Sequence, residues 1–274
     1  MISFPNCKIN LGLDVTGKRP DGFHNLETIF YPLPVYDVLE IITASDNNNE
    51  VSFTASGMHI DGDWENNLCV KAYRLLKKDF SDLAPIQMHL HKIIPIGAGL
   101  GGGSADGAFA LKMLNQIFNL QLTGGQLVHY AATLGSDCPF FTSNNPCFAT
   151  GRGEIMEPVQ PVLAGYQLIL INPGIHINTA HAFSRITPMQ PSHSVKEIIQ
   201  LPVIEWKGKL KNDFEMPVFN QYPEIASLRD QLYNTGALYA SMSGSGSSVY
   251  GIFEKGKKIA HSFPERYFSK EISL

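Results

Sequence analysis

The chain has 274 residues, 44% of them hydrophobic and 17% charged, which predicts one large folded domain or two closely packed ones and excludes a largely disordered chain. Its 21 basic and 25 acidic residues leave a net charge of −4, so no bulk electrostatic attraction to nucleic acid is expected. No apolar run has the length of a membrane span, and Lys8 interrupts the N-terminus too early for a signal peptide. A cytoplasmic protein that engages neither membrane nor nucleic acid is therefore expected. Cys7, Cys69, Cys138 and Cys147 lack zinc-like spacing and read as free, buried thiols of a reducing compartment.

The first predicted element is a strand over residues 7–15, where Ile9, Leu11, Leu13 and Val15 alternate with Lys8, Asn10, Gly12 and Asp14. That period places Lys8 and Asn10 together on a polar face and turns Cys7 toward the core. Turn chemistry at residues 16–22 separates it from a second extended run over 23–31, and short strands follow near 36–43 and 51–55. Leu68, Ala72, Leu75 and Leu76 predict a helix over about 67–78, and a strand over 86–94 leads into Pro95. Ala110, Met113, Leu114, Ile117 and Phe118 then recur at helical spacing. Thr123 and Gln126 form a capping box for a further helix that stops at Gly135, with Pro139 beyond it.

Proline and glycine become frequent over 145–165, which predicts domains of 1–155 and 156–274. The second half reads as a strand over 166–171, a helix from Thr179, an irregular middle and a helix ending near Gly236. Strands over 237–242 and 247–253 follow, around the turn SGSG. The fold class is α+β in two subdomains.

Residues 95–108 read PIGAGLGGGSADGA, with glycine at six of the eleven positions from Gly97 to Gly107. Gly97, Gly99 and Gly102 match GxGxxG, but no acidic residue stands between Asp106 and Asp137, so the dinucleotide fold is excluded. No lysine follows the glycines, so a Walker loop is excluded too. What remains is a strand, a flexible loop of bare N–H groups and a helix N-terminus, a combination that favours phosphate. Ser104 stands at the cap or first turn, where its hydroxyl can cap the helix or touch phosphate. Packing alone asks for one or two glycines, and each further one costs roughly 1 kcal/mol of ordering.

This stretch, with NCKINLGLDVTGKRPDGFHNLET at 6–28, LGSDCPFF at 134–141 and SMSGSGSSVYGIF at 241–253, resembles the GHMP kinases. The resemblance implies their two-subdomain fold, with a ribosomal S5 domain 2-like N-terminal half that binds ATP and a ferredoxin-like C-terminal half that binds substrate. It implies ATP and Mg²⁺, with Pro95, Ile96, Gly97, Ala98, Gly99, Leu100, Gly101, Gly102, Gly103, Ser104 and Ala105 as the ATP loop, and Lys92 and Asn67 framing the adenine pocket. Surface lysine and helix cap are equally good readings of those last two.

Asp137 aligns with the family's catalytic base and Lys8 with its charge partner; read alone, they are a turn residue and an ordinary strand lysine. Asn10 is expected to bond the substrate hydroxyl or Lys8. The DGFH segment implies a small-molecule substrate, a cytidine diphosphate-linked methylerythritol phosphorylated on its 2-hydroxyl. Phe23 and Phe183 would sandwich the cytosine, His24 would contact its edge, and Thr179 would be a weaker contact or an N-cap. The turn at 243–248 would close over phosphates or substrate, and no carboxylate is assigned to the metal. Asn6-Cys7 where the family more often has Pro-Ala, and Phe23 where it often has Tyr, bear on substrate affinity rather than on the reaction. Cys138 reads as a small buried filler, and the protein as monomer or homodimer. Another GHMP-type kinase, or a catalytically inactive nucleotide sensor, are the alternative readings.

Overall fold

In the computed structural model, which describes residues 1–44, 50–257, 259 and 263–274, a short strand β1 (Ile2–Ser3) precedes the long strand β2 (Asn6–Lys18). The alternating apolar residues of β2 are buried as expected, but Lys8 and Asn10 are also only 3% and 2% exposed. The polar face read from the sequence is an interior one, so neither residue is a solvated strand side chain.

There follow β3 (His24–Tyr36), β4 (Val38–Thr43), β5 (Val51–Gly57), α1 (Leu68–Asp79), β6 (Ile86–Lys92), α2 (Gly102–Ile117), α3 (Gly124–Leu134) and α4 (Phe140–Ser143). The remainder holds β7 (Cys147–Thr150), β8 (Ile155–Pro158), β9 (Gln167–Asn172), α5 (Thr179–Ser184), α6 (Val195–Ile198), α7 (Glu215–Gln221), α8 (Pro223–Asn234), β10 (Tyr239–Met242), β11 (Val249–Phe253) and β12 (Phe268–Ser273). Helix and strand are mixed throughout, an α+β chain. The region read as an irregular middle contains α6 and α7, each of seven residues or fewer, too short for a clear period.

Contacts group the residues into two units, the first being Met1–Cys7, Pro34–Ile96 and Gly101–Asn145 and the second Lys8–Leu33, Gly97–Leu100 and Pro146–Leu274. In the first, a sheet of order β1-β4-β6-β5 has one parallel pair, β5 with β6. Helix α1 packs on α2, and α2 packs on β4 and α3. Asn67 starts α1 by accepting the Cys69 N–H at 2.9 Å, while Lys77 and Lys78 complement the dipole in its last turn. The Thr123–Gln126 capping box forms at α3.

The second unit carries two sheets, β2-β3-β7-β8 and β10-β11-β9-β12. In the latter every pair is antiparallel, and the order of its strands, 4-1-3-2 in sequence, is the ferredoxin-like one. Its apolar face joins Leu13, Val15, Phe214, Val218, Ile225 and Leu228 in one core with Ile169, Ile171 and Phe253.

Candidate active site

The glycine-rich stretch leaves β6 through Pro95 and opens α2. Gly101 is the N-cap at φ +69°, and no side chain caps the helix. The first-turn N–H groups of α2 therefore have no side-chain acceptor, the condition under which a helix N-terminus binds an anion. Ser104 lies in that turn near the Cys138 thiol, which burial pushes up to about 12 against the pull of the Ser104 hydroxyl.

Three of the six glycines answer to packing, which corrects the sequence argument that packing needs only one or two. A Cβ on Gly99 would lie 2.0 Å from the Ser243 carbonyl oxygen, one on Gly102 2.8 Å from Ile94 Cγ2, and one on Gly107 2.8 Å from Leu68 Cβ. Gly103 differs, because a Cβ there would have nothing within 4 Å. Packing within the protein does not require bare backbone at Gly103.

Within the second unit, the loop and β2 gather a polar cluster. Lys8 Nζ donates to Asn10 Oδ1 at 2.5 Å and to the Gly99 carbonyl at 3.4 Å, and lies 4.9 Å from the Phe30 ring centre. The Lys8 N–H bonds the Leu100 carbonyl at 2.9 Å. Asn10 donates to Thr28 Oγ1 at 2.9 Å, and its backbone N–H reaches Ser243 Oγ at 3.2 Å. The Ser243 hydroxyl donates to Gly99 O at 2.8 Å, and the Ser248 N–H donates to Ala98 O at 3.2 Å. The turn over 243–248 thus docks on residues 98–100 beside Lys8 and Asn10. Thr28 escaped the sequence reading, since a lone hydroxyl in a strand carries no local signal, and Ser243 was read only as part of the 243–248 turn.

The aromatic residues have partners in the same unit. His24 stacks on Phe183 with ring centres 4.9 Å apart and planes 14° apart, and Phe214 meets Phe183 edge-on at 4.8 Å. Phe23 is 51% exposed, with the Arg152 guanidinium 4.8 Å from its ring centre. Thr179 opens α5, but the cap is Asn178, which accepts the His181 N–H at 2.9 Å. Thr179 Oγ1 instead lies 3.1 Å from Ser245 Oγ in the glycine turn.

In the first unit, Asn67 borders a cleft of about 450 Å³ that Phe53, Gly57, Met58, Asp63 and Trp64 also line. The Lys92 carbonyl accepts the Met58 N–H at 2.8 Å on its rim. The Lys92 side chain is buried rather than on the surface, and Nζ donates to Asp106 at 2.7 Å and to Asp37. Burial pushes the Asp106 carboxyl up, against the pull of Lys92 and with added repulsion from Asp37. Asp37 and Asp106 were missed, although spacing marks both: Asp37 continues the buried alternation of Leu33 and Val35, and Asp106 falls on the helical period of α2. Lys92 continues Ile86, Met88 and Leu90, and Asp106 stands one turn before Ala110 on the buried side of α2. Asp137 is half-buried in the turn between α3 and α4, where Cys138 N–H bonds Gly135 O at 3.2 Å.

The family described as GHMP kinases N terminal domain matches residues 67–145, and that described as GHMP kinases C terminal matches 196–269. A 4-diphosphocytidyl-2-C-methyl-D-erythritol kinase of Bacteroides fragilis is 55% identical over 274 residues, 100% of both chains. One from Porphyromonas gingivalis is 45% identical over 261 residues, 94% of each. A crystal structure of 4-(cytidine 5'-diphospho)-2C-methyl-D-erythritol kinase superposes with a TM-score of 0.79 at 27% identity, covering 100% of both chains. A homoserine kinase from Cytophaga hutchinsonii, with a TM-score of 0.62 at 14% identity over 98% of this chain and 95% of its own, shares the fold.

Proposed function

The chain belongs to the GHMP kinase family and is a phosphotransferase, and on that premise we propose that it transfers the γ-phosphoryl group of ATP to the 2-hydroxyl of 4-diphosphocytidyl-2-C-methyl-D-erythritol, a step of the non-mevalonate route to isoprenoid precursors. Full-length identity to kinases named for that substrate carries the reading. The two family matches fall on either side of residue 155, where we place the boundary between an ATP-binding and a substrate-binding domain.

Phosphoryl transfer needs positioned phosphates, compensation of their charge and a group to take the alcohol proton. The uncapped N-terminus of α2 suits the phosphates, and Gly103 lets them approach the backbone. Asn67 and the cleft beside it take the adenine. Among the described residues, no group of three His, Cys, Asp or Glu side chains is placed to hold a metal ion. The donors fit Mg²⁺ only as an ion carried on phosphate oxygens, where it supplies further charge neutralisation.

Lys8, held by Asn10 and Gly99 O, offers its ammonium to the transferring group, and Asp137 takes the proton from the 2-hydroxyl. Phe183, which Phe214 meets edge-on, and the exposed Phe23 are the two plates we assign to cytosine, and His24, whose ring lies parallel to that of Phe183, is the contact we assign to the base edge. Thr179 contributes a hydroxyl through its place beside Ser245.

The test supplies ATP, Mg²⁺ and the cytidine substrate and follows phosphorus NMR for a new phosphomonoester. Wild type produces the resonance, and Asp137→Asn lowers kcat by about a hundredfold or more with an unchanged circular dichroism spectrum. Near-normal turnover in that variant removes Asp137 from the role. An untouched cytidine substrate removes the substrate assignment.

A further inference from the structure

Asp37, Lys92 and Asp106 form a buried charged network inside the first unit. Lys92 Nζ bridges the two carboxylates. The second oxygen of Asp37 accepts the N–H groups of Ile93 at 2.6 Å and Ile94 at 2.8 Å. Asp106 Oδ1 has no hydrogen-bond partner among the described residues.

Stability does not explain such a cluster. A buried ion pair is commonly replaceable by apolar side chains of equal volume without loss, and an unpartnered oxygen adds a penalty. Its attachments suggest another use. Ile93 and Ile94 lead directly into Pro95 and the glycine loop. Asp106 stands just inside the uncapped N-terminus of α2. A Cβ on Gly102 would lie 3.1 Å from Lys92 Nζ, so the ammonium sits directly beneath the first residue of that helix. The Lys92 backbone meanwhile holds Met58 on the rim of the cleft beside Asn67. One lysine thus joins the cleft rim, the approach to the loop and the helix N-terminus.

We propose that Asp37, Lys92 and Asp106 are positioning residues for the adenine nucleotide, setting the cleft rim and the N-terminus of α2 at the separation that base and phosphates require. The inference rests on the ATP reading above. None of the three touches the reacting atoms; they act through Ile93, Ile94, Gly102 and Met58.

Two variants of the full chain test this, Asp106→Asn and the double variant Asp37→Asn/Lys92→Met, which removes the ammonium together with the charge of one of its two partners at similar volume. Calorimetry measures AMP-PNP and CDP separately on each, beside melting temperature and the KM for each substrate. The expected result is a Kd for AMP-PNP and a KM for ATP raised about tenfold, the scale of losing one supporting hydrogen-bond partner, with the Kd for CDP unchanged. A purely structural role lowers the melting temperature and leaves both Kd values alone, or weakens both alike. Either outcome overturns the proposal, as does failure of both variants to fold. A wild-type chain that binds AMP-PNP but leaves the cytidine substrate untouched overturns only the substrate assignment, and the comparison of AMP-PNP Kd values still decides this one. A wild-type chain that binds no AMP-PNP overturns both.

Discussion

Asp14 continues the even-numbered face of β2 after Lys8, Asn10 and Gly12, and burial, Asp213 and Glu27 push its carboxyl up from 3.8 to about 7 against the pull of Lys211. Between those two values the folded chain holds a proton that the unfolded chain has released. The associated stability is complete below the unfolded value and disappears as pH rises through the folded one. Asp14→Asn removes this dependence. Melting curves should show the variant gaining on wild type from about pH 4 to about pH 7, reaching roughly 2 °C at the upper end, because partial exposure screens much of the effect. A difference that is flat with pH shows that Asp14 ionises normally. The sequence marked the face of Asp14 but not its burial, because alternation tells two faces apart without saying what covers the polar one. Lys8 and Asn10 were placed on the right face for the same reason, and their burial removes the alternative reading of them as ordinary solvated strand residues. Lys92 was legible in a stronger sense, since a lysine on the apolar parity of β6 has to find a carboxylate.

At the scale of elements, residues 97–107 divide into glycines that the fold consumes and one that it does not. Gly99 combines φ +77° with a prospective Cβ 2.0 Å from the Ser243 carbonyl. Gly99→Ala should therefore cost about 3 kcal/mol through strain and overlap, read as a fall in denaturation midpoint. Gly103 lies in the first turn of α2 with open space around it. Gly103→Ala should keep or slightly raise the melting temperature, as alanine is roughly 1 kcal/mol the better helix former. It should still raise the KM for ATP several-fold if phosphate needs that bare backbone. An unchanged KM would assign even Gly103 to folding. Elements with their own local signal were readable in advance, notably α1 with Asn67 and α3 with its capping box. Strands β7, β8 and β12 were not: all are four to six residues long, β7 and β12 pair with strands far away in sequence, such as Thr28 opposite Ala149, and β8 is an edge strand paired with the equally short β7.

At the scale of the molecule, long-range pairing is also why β2 and β3 group largely with residues beyond 145; a change in local composition cannot reveal such a grouping. The cysteines provide reporters in both units. All four are buried, with Cys7, Cys69 and Cys138 in the first unit and Cys147 in the second. Burial pushes the Cys69 thiol well above its ordinary value and those of Cys138 and Cys147 up to about 12, so little thiolate exists to react in the folded chain. Modification by an aromatic disulfide reagent should thus await opening of the structure, and its rate should report the open population. AMP-PNP at a hundred times its Kd stabilises the binding-competent form by about 2.7 kcal/mol, which slows labelling of thiols exposed by that unit's opening about a hundredfold. Since the cleft beside Asn67 and the N-terminus of α2 both belong to the first unit, Cys69 and Cys138 should be protected to that extent. Peptide mapping then reads Cys147 separately. Equal protection there means that the two units open in one cooperative step, and weaker protection means that the second opens by itself. Rapid labelling of any of the four thiols without denaturant contradicts their burial and with it the packing of α1 and β7.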